Sequence, residues 1–591
     1  MNILGISCYF HDASAALLQG GQLTAAAEEE RFTRKKHDPS FPVNSIEFCL
    51  RRGRIRSEEL DLVVFFEKPF LKFERLLTSA MQTFPRSCSV FRESMITWLT
   101  DKLWVKGLIR QHLGVSADRI LFSDHHMSHA ASAFFCSPFD EAAILTVDGV
   151  GEWATATYGV GRATEIKVLR EIRFPHSLGL LYSAFTAFLG FAVNEGEYKV
   201  MGMAPFGEPR YAEKVWKLIH QEKDGSFRLD MDYFSFHHSP DRMYNARFVE
   251  LFGPPRDPRA PFFTSASGYP PYFGERPEKY DALARDNQQY ADVAASIQLV
   301  TEDVLLRMVE HLHRETGLRK LCMAGGVALN SVANGRILRE TPFEDIYVQP
   351  AAGDGGGALG AALYAYHAVL GKPRQFVMQH AYWGEDYDVA TVDTLLRSQN
   401  IRCRRLENED QLVEQVVQRL QDGKVVGWFQ GRFEWGPRAL GHRSILADPR
   451  NPAMKDIVNT KVKLREPFRP FAPSVLTDRA GDFFELPDPR RHLPARFMLY
   501  VVDVKDAAKA RLPAVTHVDG TARLQTVDRE VCPRYHRLIE AFGAATGVPM
   551  VLNTSFNLQG EPIVNTPAEA LGTFWRSGMD TLVLGDHMIE K

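Results

Sequence analysis

The chain has 591 residues, more than one hydrophobic core ordinarily serves, so two or more domains are expected. Its hydrophobic content of 45% and charged content of 24% are those of a globular enzyme and exclude a disordered or fibrous protein. The 70 lysines and arginines nearly balance 73 aspartates and glutamates, and a net charge of −3 supplies no general attraction for nucleic acid or an anionic membrane.

The chain enters an apolar strand almost at once, without a basic leader, and no apolar run approaches the ~20 residues that span a bilayer. A cytoplasmic protein is expected. Cys8, Cys49, Cys88, Cys136, Cys322, Cys403 and Cys532 are scattered singly. Without a C-x-x-C pair they exclude a zinc ribbon, a thioredoxin motif or a disulfide scaffold, and most read as small core residues.

Residues 2–30 read strand, polar turn, strand, glycine turn, strand. The same order returns at 142–172, which predicts a duplicated α/β fold. The repeat is similar to the actin, sugar kinase and Hsp70 ATPase fold, in which two like halves enclose a nucleotide. The mixed-charge run from Glu28 to Asp38 reads as solvated surface. Residues 45–120 read as mainly helical, with Phe65, Phe66, Phe70, Phe73, Trp98 and Trp104 among basic residues.

In the stretch Ser123–Phe134, His125 and His129 lie one helical turn apart, so on a helix both imidazoles leave one face and can close on one cation. Two apolar strands then end in carboxylates within glycine turns, Asp148 before Gly149 and Gly151, and Asp354 before a run of three glycines. Two histidines and two aspartates at such places make a candidate metal site. The zinc-protease motif His-Glu-x-x-His is excluded, because His126 stands where that chemistry needs glutamate.

Asn194–Gly207, with Lys199 and Gly202, reads as a loop passing close to phosphate. Residues 233–285 read as a long irregular excursion that includes the aromatic, proline-rich Gly268–Phe273. A long amphipathic helix is predicted over Tyr290–Thr316. The strand Lys320–Ala324 follows and ends in Gly325, Gly326 and Asn330, a strand-to-helix turn that suits adenosine or phosphate.

A domain boundary is expected near Gly371–Pro373, dividing the chain into residues 1–375 and 376–591. Helix Gln411–Gln421 and strand Val425–Phe429 precede a basic stretch. From Arg432 to Arg469 there are nine lysines and arginines against four acids. Arginine forks at turns pinned by glycine and proline are what bidentate binding of phosphate or carboxylate requires. Pro549–Asn557 repeats the theme as a strand that stops in amide and hydroxyl donors, Asn553, Thr554 and Ser555.

Several motifs stand in order along nearly the whole chain: His11–Ser14, Glu28–Arg34, His125–Ser132, Asn194–Gly202, Ala324–Asn330, Gly436–Ser444, Arg465–Pro470 and Asn553–Asn557. Together they resemble the O-carbamoyltransferases of antibiotic and nodulation-factor biosynthesis. The resemblance implies an N-terminal actin-like domain, similar to the tRNA threonylcarbamoyl transferase, and a YrdC-like C-terminal domain. It implies carbamoyl phosphate and ATP with Mg²⁺ as cosubstrates, a carbamoyl adenylate intermediate sheltered from water, and a small-molecule hydroxyl as acceptor.

Carried over by position, His125, His129, Asp148 and Asp354 would hold Fe²⁺, with zinc or manganese equally compatible with the ligands. Gly149, Gly151, Lys199, Gly202, Gly325, Gly326 and Asn330 would surround the nucleotide. Arg438, Arg443, Lys461, Lys463, Arg465, Arg469, Asn553, Thr554 and Ser555 would take carbamoyl phosphate and ATP. His11, oriented by Asp12, would be the general base, with a pKa near neutrality. Size and surface loops suggest a homodimer. The competing functions are threonylcarbamoyl-type tRNA modification, disfavoured by the charge balance, and a non-catalytic actin-like ATP-binding scaffold, which leaves the arginine stretch unexplained. Hydrogenase maturation would need paired-cysteine zinc motifs, which the chain does not have.

Overall fold

A computed structural model describes residues 1–100, 102–270 and 273–591. Asp101 of the mainly helical stretch and Pro271 and Tyr272 of the aromatic excursion lie outside the described residues. Two compact units are present. One comprises Met1–Glu29, His37–Ala260 and Gln289–Met378; the other comprises Glu30–Lys36, Pro261–Gln288 and Gln379–Lys591. A single cut after residue 375 places the two short excursions of the second unit with the first.

The first unit contains two five-stranded sheets built to one plan. In the first sheet, β1 (Asn2–Ser7), β2 (Ser14–Gln19) and β3 (Gln22–Glu28) form an antiparallel meander, and β4 (Leu62–Phe65) and β5 (Ile120–Phe122) extend it in parallel beyond β1. In the second, β6 (Glu141–Val147), β7 (Ala154–Arg162) and β8 (Glu165–Arg173) repeat the meander. The strands β9 (Lys320–Ala324) and β10 (Asp345–Val348) extend it in parallel beyond β6. The duplication read from residues 2–30 and 142–172 is therefore present. Strands β1, β2 and β6 are buried almost throughout, as expected of apolar strands covered on both faces.

Each sheet's last strand feeds an equivalent helix. After β5 comes α1 (His125–Phe134), and after β10 comes α2 (Gly355–Tyr364). Helix α2 is nearly all glycine, alanine and leucine, and those small residues let backbones touch. A Cβ on Gly360 would stand 1.8 Å from the Ser128 carbonyl oxygen of α1, and one on Gly5 of β1 would stand 1.8 Å from the Ala358 carbonyl oxygen.

Several segments depart from expectation. Asn194–Gly207 is not a loop, because Glu197–Met203 forms a short helix that takes in Lys199 and Gly202. The long helix starts earlier than predicted and runs Tyr280–Thr316. The mainly helical stretch contains β4, whose Val63, Val64 and Phe65 are buried. The mixed-charge run is not solvated: Glu28, Glu29, Glu30, Arg31 and Asp38 are buried.

The burial of that run has a hydrogen-bonding reason. The Glu29 carboxylate accepts the Asn44 and Ser45 N–H groups at 3.1 and 2.8 Å, capping the helix Val43–Gly53. In the second unit, Arg31 donates to the Gly436 carbonyl at 2.8 Å, and Arg34 donates to the Ile563 and Pro562 carbonyls at 2.7 and 2.8 Å. Charge density along the chain cannot report carbonyls 400 or more residues away. Five of the seven cysteines are buried and all are free, as expected. No helix among the described residues is long and apolar enough to cross a membrane.

The second unit carries an eight-stranded mixed sheet. Its strands are β11 (Arg404–Arg405), β12 (Val426–Phe429), β13 (Arg443–Ala447), β14 (Ala472–Leu476), β15 (Gln525–Val527), β16 (Met550–Ser555), β17 (Thr581–Leu584) and β18 (His587–Glu590). Their order is β11-β18-β17-β12-β13-β16-β14-β15. The non-consecutive neighbours bring the end of β16, with Asn553 and Ser555, beside the start of β13.

Gly360→Ala should cost about 1–3 kcal/mol or more, because the methyl group can be accommodated only by separating α1 from α2. Gly572→Ala is its counterpart. Residue 572 lies within the helix Pro567–Arg576, and a Cβ there meets no other atom, so this change should stabilise by about 0.4–1 kcal/mol. Melting curves of the two variants, expected to move in opposite directions, check both statements.

Candidate functional site

The first unit brings His125, His129, Asp148 and Asp354 together, with one ligand atom of each inside a sphere of contacts no longer than 4.8 Å. His125 Nε2 is 3.0 Å from His129 Nε2, 3.1 Å from Asp148 Oδ2 and 3.6 Å from Asp354 Oδ1. His129 Nε2 is 3.6 Å from Asp148 Oδ2 and 3.5 Å from Asp354 Oδ1. All four side chains are buried.

Three of the four candidate ligands are fixed by hydrogen bonds to their surroundings. The Glu152 carboxylate accepts the His125 N–H at the start of α1. The Gly326 N–H donates to Asp148 Oδ1 at 2.8 Å, which leaves Oδ2 for the cluster. Ser7 and Ser14 hydroxyls of the first sheet donate to the carbonyls of Asp354 and Gly355. His126 is turned away: its two ring nitrogens meet the Thr146 hydroxyl and the Ala154 carbonyl, so it straps α1 to the second sheet.

The donor set fits a divalent cation. Two imidazole nitrogens and two carboxylates converge in a buried place, and Asp354 Oδ2 is buried with no hydrogen-bond partner. Burial alone would lower the His125 pKa, but Asp148, Glu67 and Asp354 push it up to about 10. Burial would raise Asp148, and the two histidines hold it well below the usual carboxylate range. Nearby Glu67, also buried, is brought down to about 2 by Lys72 and His125 against the effect of burial.

His11 and Asp12 lie in the β1–β2 turn, which is equivalent to the β6–β7 turn that carries Asp148. His11 Nδ1 is 2.9 Å from Asp12 Oδ2, and its Nε2 donates to the Asn194 carbonyl at 2.7 Å. His37, which the sequence reading did not single out, bonds the other Asp12 oxygen at 2.7 Å and stacks on the His11 ring. Tyr9 and Asp12 flank His11 with φ of 73° and 45°, strained values for side chains of this size. Burial would lower the His11 pKa, but Asp12, Asp354 and the Asn194 carbonyl raise it to about 9. The expected value near neutrality is thus displaced upward.

The nucleotide candidates divide. Gly149 and Gly151 share the Asp148 turn, and the Gly326 N–H is engaged by Asp148 rather than open to phosphate. Gly325, at φ 94°, passes against the Val147 carbonyl. The Asn330 amide caps the helix Ser331–Glu340 and pairs with Gln298. Lys199 lies over the Phe191 ring.

In the second unit the candidates also separate. Glu434, fully buried, accepts the N–H groups of Leu440, His442 and Arg443, and this fixes the loop that bears Arg438. Arg443 itself does not join an anion site: it stacks on Phe429 and its guanidinium donates to the carbonyls of Gln430, Gly431 and His442. Lys461 is exposed, whereas Lys463 is buried and donates to Asn557 Oδ1 at 2.8 Å and to the Ser555 carbonyl. Asn553 is tied to Ala439, Ser474 and Gln525, and Thr554 is half-buried on the same strand.

Arg438, Arg465 and Arg469 converge with a residue the sequence reading missed, Arg523. Burial and then the charges of Arg438, Arg465 and Arg469 hold the Arg523 guanidinium well below its ordinary pKa. The same two causes, with Arg465 and Arg469, hold Lys463 down. Arg523 Nε is buried with no hydrogen-bond partner. Mutually repelling cations on separate loops, half-buried or buried, make a candidate anion site. Nothing local marks Arg523, which ends the short strand Thr521–Arg523 more than 50 residues past the basic stretch.

The family model of the carbamoyltransferase N-terminus matches residues 2–363, and that of the carbamoyltransferase C-terminus matches residues 417–591. The uncharacterized protein sll1178 of Synechocystis sp. is 45% identical, over 100% of this chain and 97% of its own length. Nodulation protein NolNO of Sinorhizobium fredii is 39% identical, over 99% of this chain and 79% of its own. The 3'-hydroxymethylcephem-O-carbamoyltransferase of Amycolatopsis lactamdurans is 35% identical, over 46% of this chain and 49% of its own.

Arg523→Met removes one of the repelling cations. It should raise the melting temperature without anions and weaken inorganic phosphate binding about tenfold by calorimetry. His11 gives a pH signature. Its folded-state pKa is raised from 6.5 to about 9, so its stabilisation is complete below pH 6.5 and is lost as pH rises through about 9. Across that window the melting temperature should fall more steeply for the parent than for His11→Gln.

Proposed function

The chain belongs to the carbamoyltransferase family, and from that premise we propose that it is an ATP-dependent O-carbamoyltransferase acting on a small-molecule hydroxyl. The reading assigns the first unit an actin-like transfer role and the second a YrdC-like role in making carbamoyl adenylate. The observation that carries it is the group of Arg438, Arg465, Arg469, Arg523 and Lys463, with Lys463 and Arg465 buried and Arg523 Nε buried without a hydrogen-bond partner, which an anion of several charges would neutralise.

In the second unit, water cleaves the O–P bond of carbamoyl phosphate, giving inorganic phosphate and carbamate. A carbamate oxygen then attacks the α-phosphorus of magnesium-bound ATP, and pyrophosphate leaves. Arg438, Arg465, Arg469 and Arg523 hold the phosphate groups during the exchange, and Lys463 is positioned by Ser555 and Asn557.

In the first unit, the acceptor oxygen attacks the carbamoyl carbon and AMP leaves. His11 takes the hydroxyl proton, which requires Nε2 to leave the Asn194 carbonyl and to give up the proton it carries at rest. Asp12 keeps Nδ1 paired and the ring oriented. A divalent cation on His125, His129, Asp148 and Asp354, whether iron(II), zinc or manganese, would supply a Lewis acid for the adenylate phosphate and offset the carboxylate charge that raises His11. A hydroxymethyl acceptor, as in the name of the cephem enzyme, is the class of substrate that fits this chemistry.

Pyrophosphate release from ATP, with and without carbamoyl phosphate and with no acceptor, tests the reading; release that depends on carbamoyl phosphate is expected. Arg469→Ala should reduce it by about 100-fold or more. His11→Ala should retain it and lose transfer to an alcohol. Failure of both variants at one step would refute the division of roles, and absence of release in folded parent protein would refute the adenylate route.

A further inference from the structure

We propose that Glu67 is the positioning residue for His125, accepting its Nδ1 hydrogen when Nε2 carries a cation. The inference rests on reading the His125, His129, Asp148 and Asp354 cluster as a metal site.

A neutral imidazole that ligates through Nε2 carries its proton on Nδ1, and that N–H needs an acceptor to fix the tautomer and the ring. His125 Nδ1 is buried and has no hydrogen-bond partner, while its Nε2 faces the other three ligands. Glu67 Oε2 lies 3.8 Å from that Nδ1 on the side away from the cluster. The carboxylate is buried, and its partner is the buried Lys72, whose ammonium stands 2.6 Å from the same oxygen and 4.6 Å over the Phe10 ring.

Glu67 lies two residues past the end of β4, next to Phe66, whose ring flanks His125. A carboxylate placed at the end of a buried strand, facing the unpartnered nitrogen of a ligand, is the arrangement by which histidine ligands are oriented. A contact of 3.8 Å is longer than a hydrogen bond, and a small rotation of the Glu67 side chain away from Lys72 closes it. Lys72 therefore competes with His125 for one oxygen, and this separates a positioning role from a purely structural ion pair.

The test uses full-length protein stripped by a chelator and titrated with Co²⁺, with affinity read by competition against a chromophoric chelator and coordination read by visible absorption. The Glu67→Met/Lys72→Met double variant removes the acceptor without leaving a buried charge, and should bind Co²⁺ about 10–100-fold more weakly with an altered spectrum. Glu67→Gln, which keeps an acceptor oxygen, should recover part of the loss. Lys72→Met, which frees the carboxylate, should bind no more weakly than the parent.

Parent-like affinity and spectrum in the folded double variant would overturn the role of Glu67. So would equal weakening by Lys72→Met and by Glu67→Gln, the mark of an ion pair that only supports the fold. If the parent fails to bind Co²⁺, or binds it as well after His125→Ala/His129→Ala, the metal reading falls and this inference with it. Parent binding that the histidine pair abolishes, together with an unaffected double variant, overturns only the inference.

Discussion

Backbone contact between two equivalent helices is the constraint on which the rest of the first unit depends. With no side chain at Gly360, α2 lies against the Ser128 carbonyl of α1, and with none at Gly5, β1 lies against the same helix. His125 and His129 are on α1, and Asp354 immediately precedes α2. A separation of even one methyl group would move His125 and His129 away from Asp354 in an interior that is close-packed and cannot relax freely.

The duplication explains why these residues meet. Helices α1 and α2 follow the equivalent strands β5 and β10, and the turns that carry His11–Asp12 and Asp148 follow the equivalent strands β1 and β6. Each copy thus contributes a helix terminus and a polar turn. One copy's turn carries a candidate metal ligand and the other a histidine loop with positive φ at Tyr9 and Asp12. The serines at the ends of β1 and β2 then hold the backbone of Asp354 and Gly355, so one copy helps to place a residue of the other copy's candidate site.

The two units present opposite electrostatic problems. In the first, carboxylates gather around imidazoles, raise their proton affinity and suit a cation. In the second, guanidinium groups gather around Arg523 and suit an anion. In the second, like charges repel more strongly than they would in water, so that cluster gives up stability that a bound anion restores.

The sequence by itself determined the elements whose cause is local: the repeated meander, the His125–His129 spacing on one helical face, the carboxylates ending buried strands, and the arginines pinned by glycine and proline. It also carried the family, through motifs that run the length of the chain. Tertiary structure alone decided what depends on distant partners. It buried the Glu28–Asp38 run, because Glu29 caps a helix and Arg31 and Arg34 reach carbonyls 400 or more residues away. It tied Arg443 to backbone carbonyls and set Arg523 among the other arginines, because an arginine's surroundings are fixed by the carbonyls or cations around its guanidinium. It raised the His11 pKa to about 9, because Asp12, Asp354 and the Asn194 carbonyl meet the ring only once the copies have packed. Periodicity and turn chemistry act over a few residues and are legible in the chain, whereas charge, burial and proton affinity depend on neighbours that folding supplies.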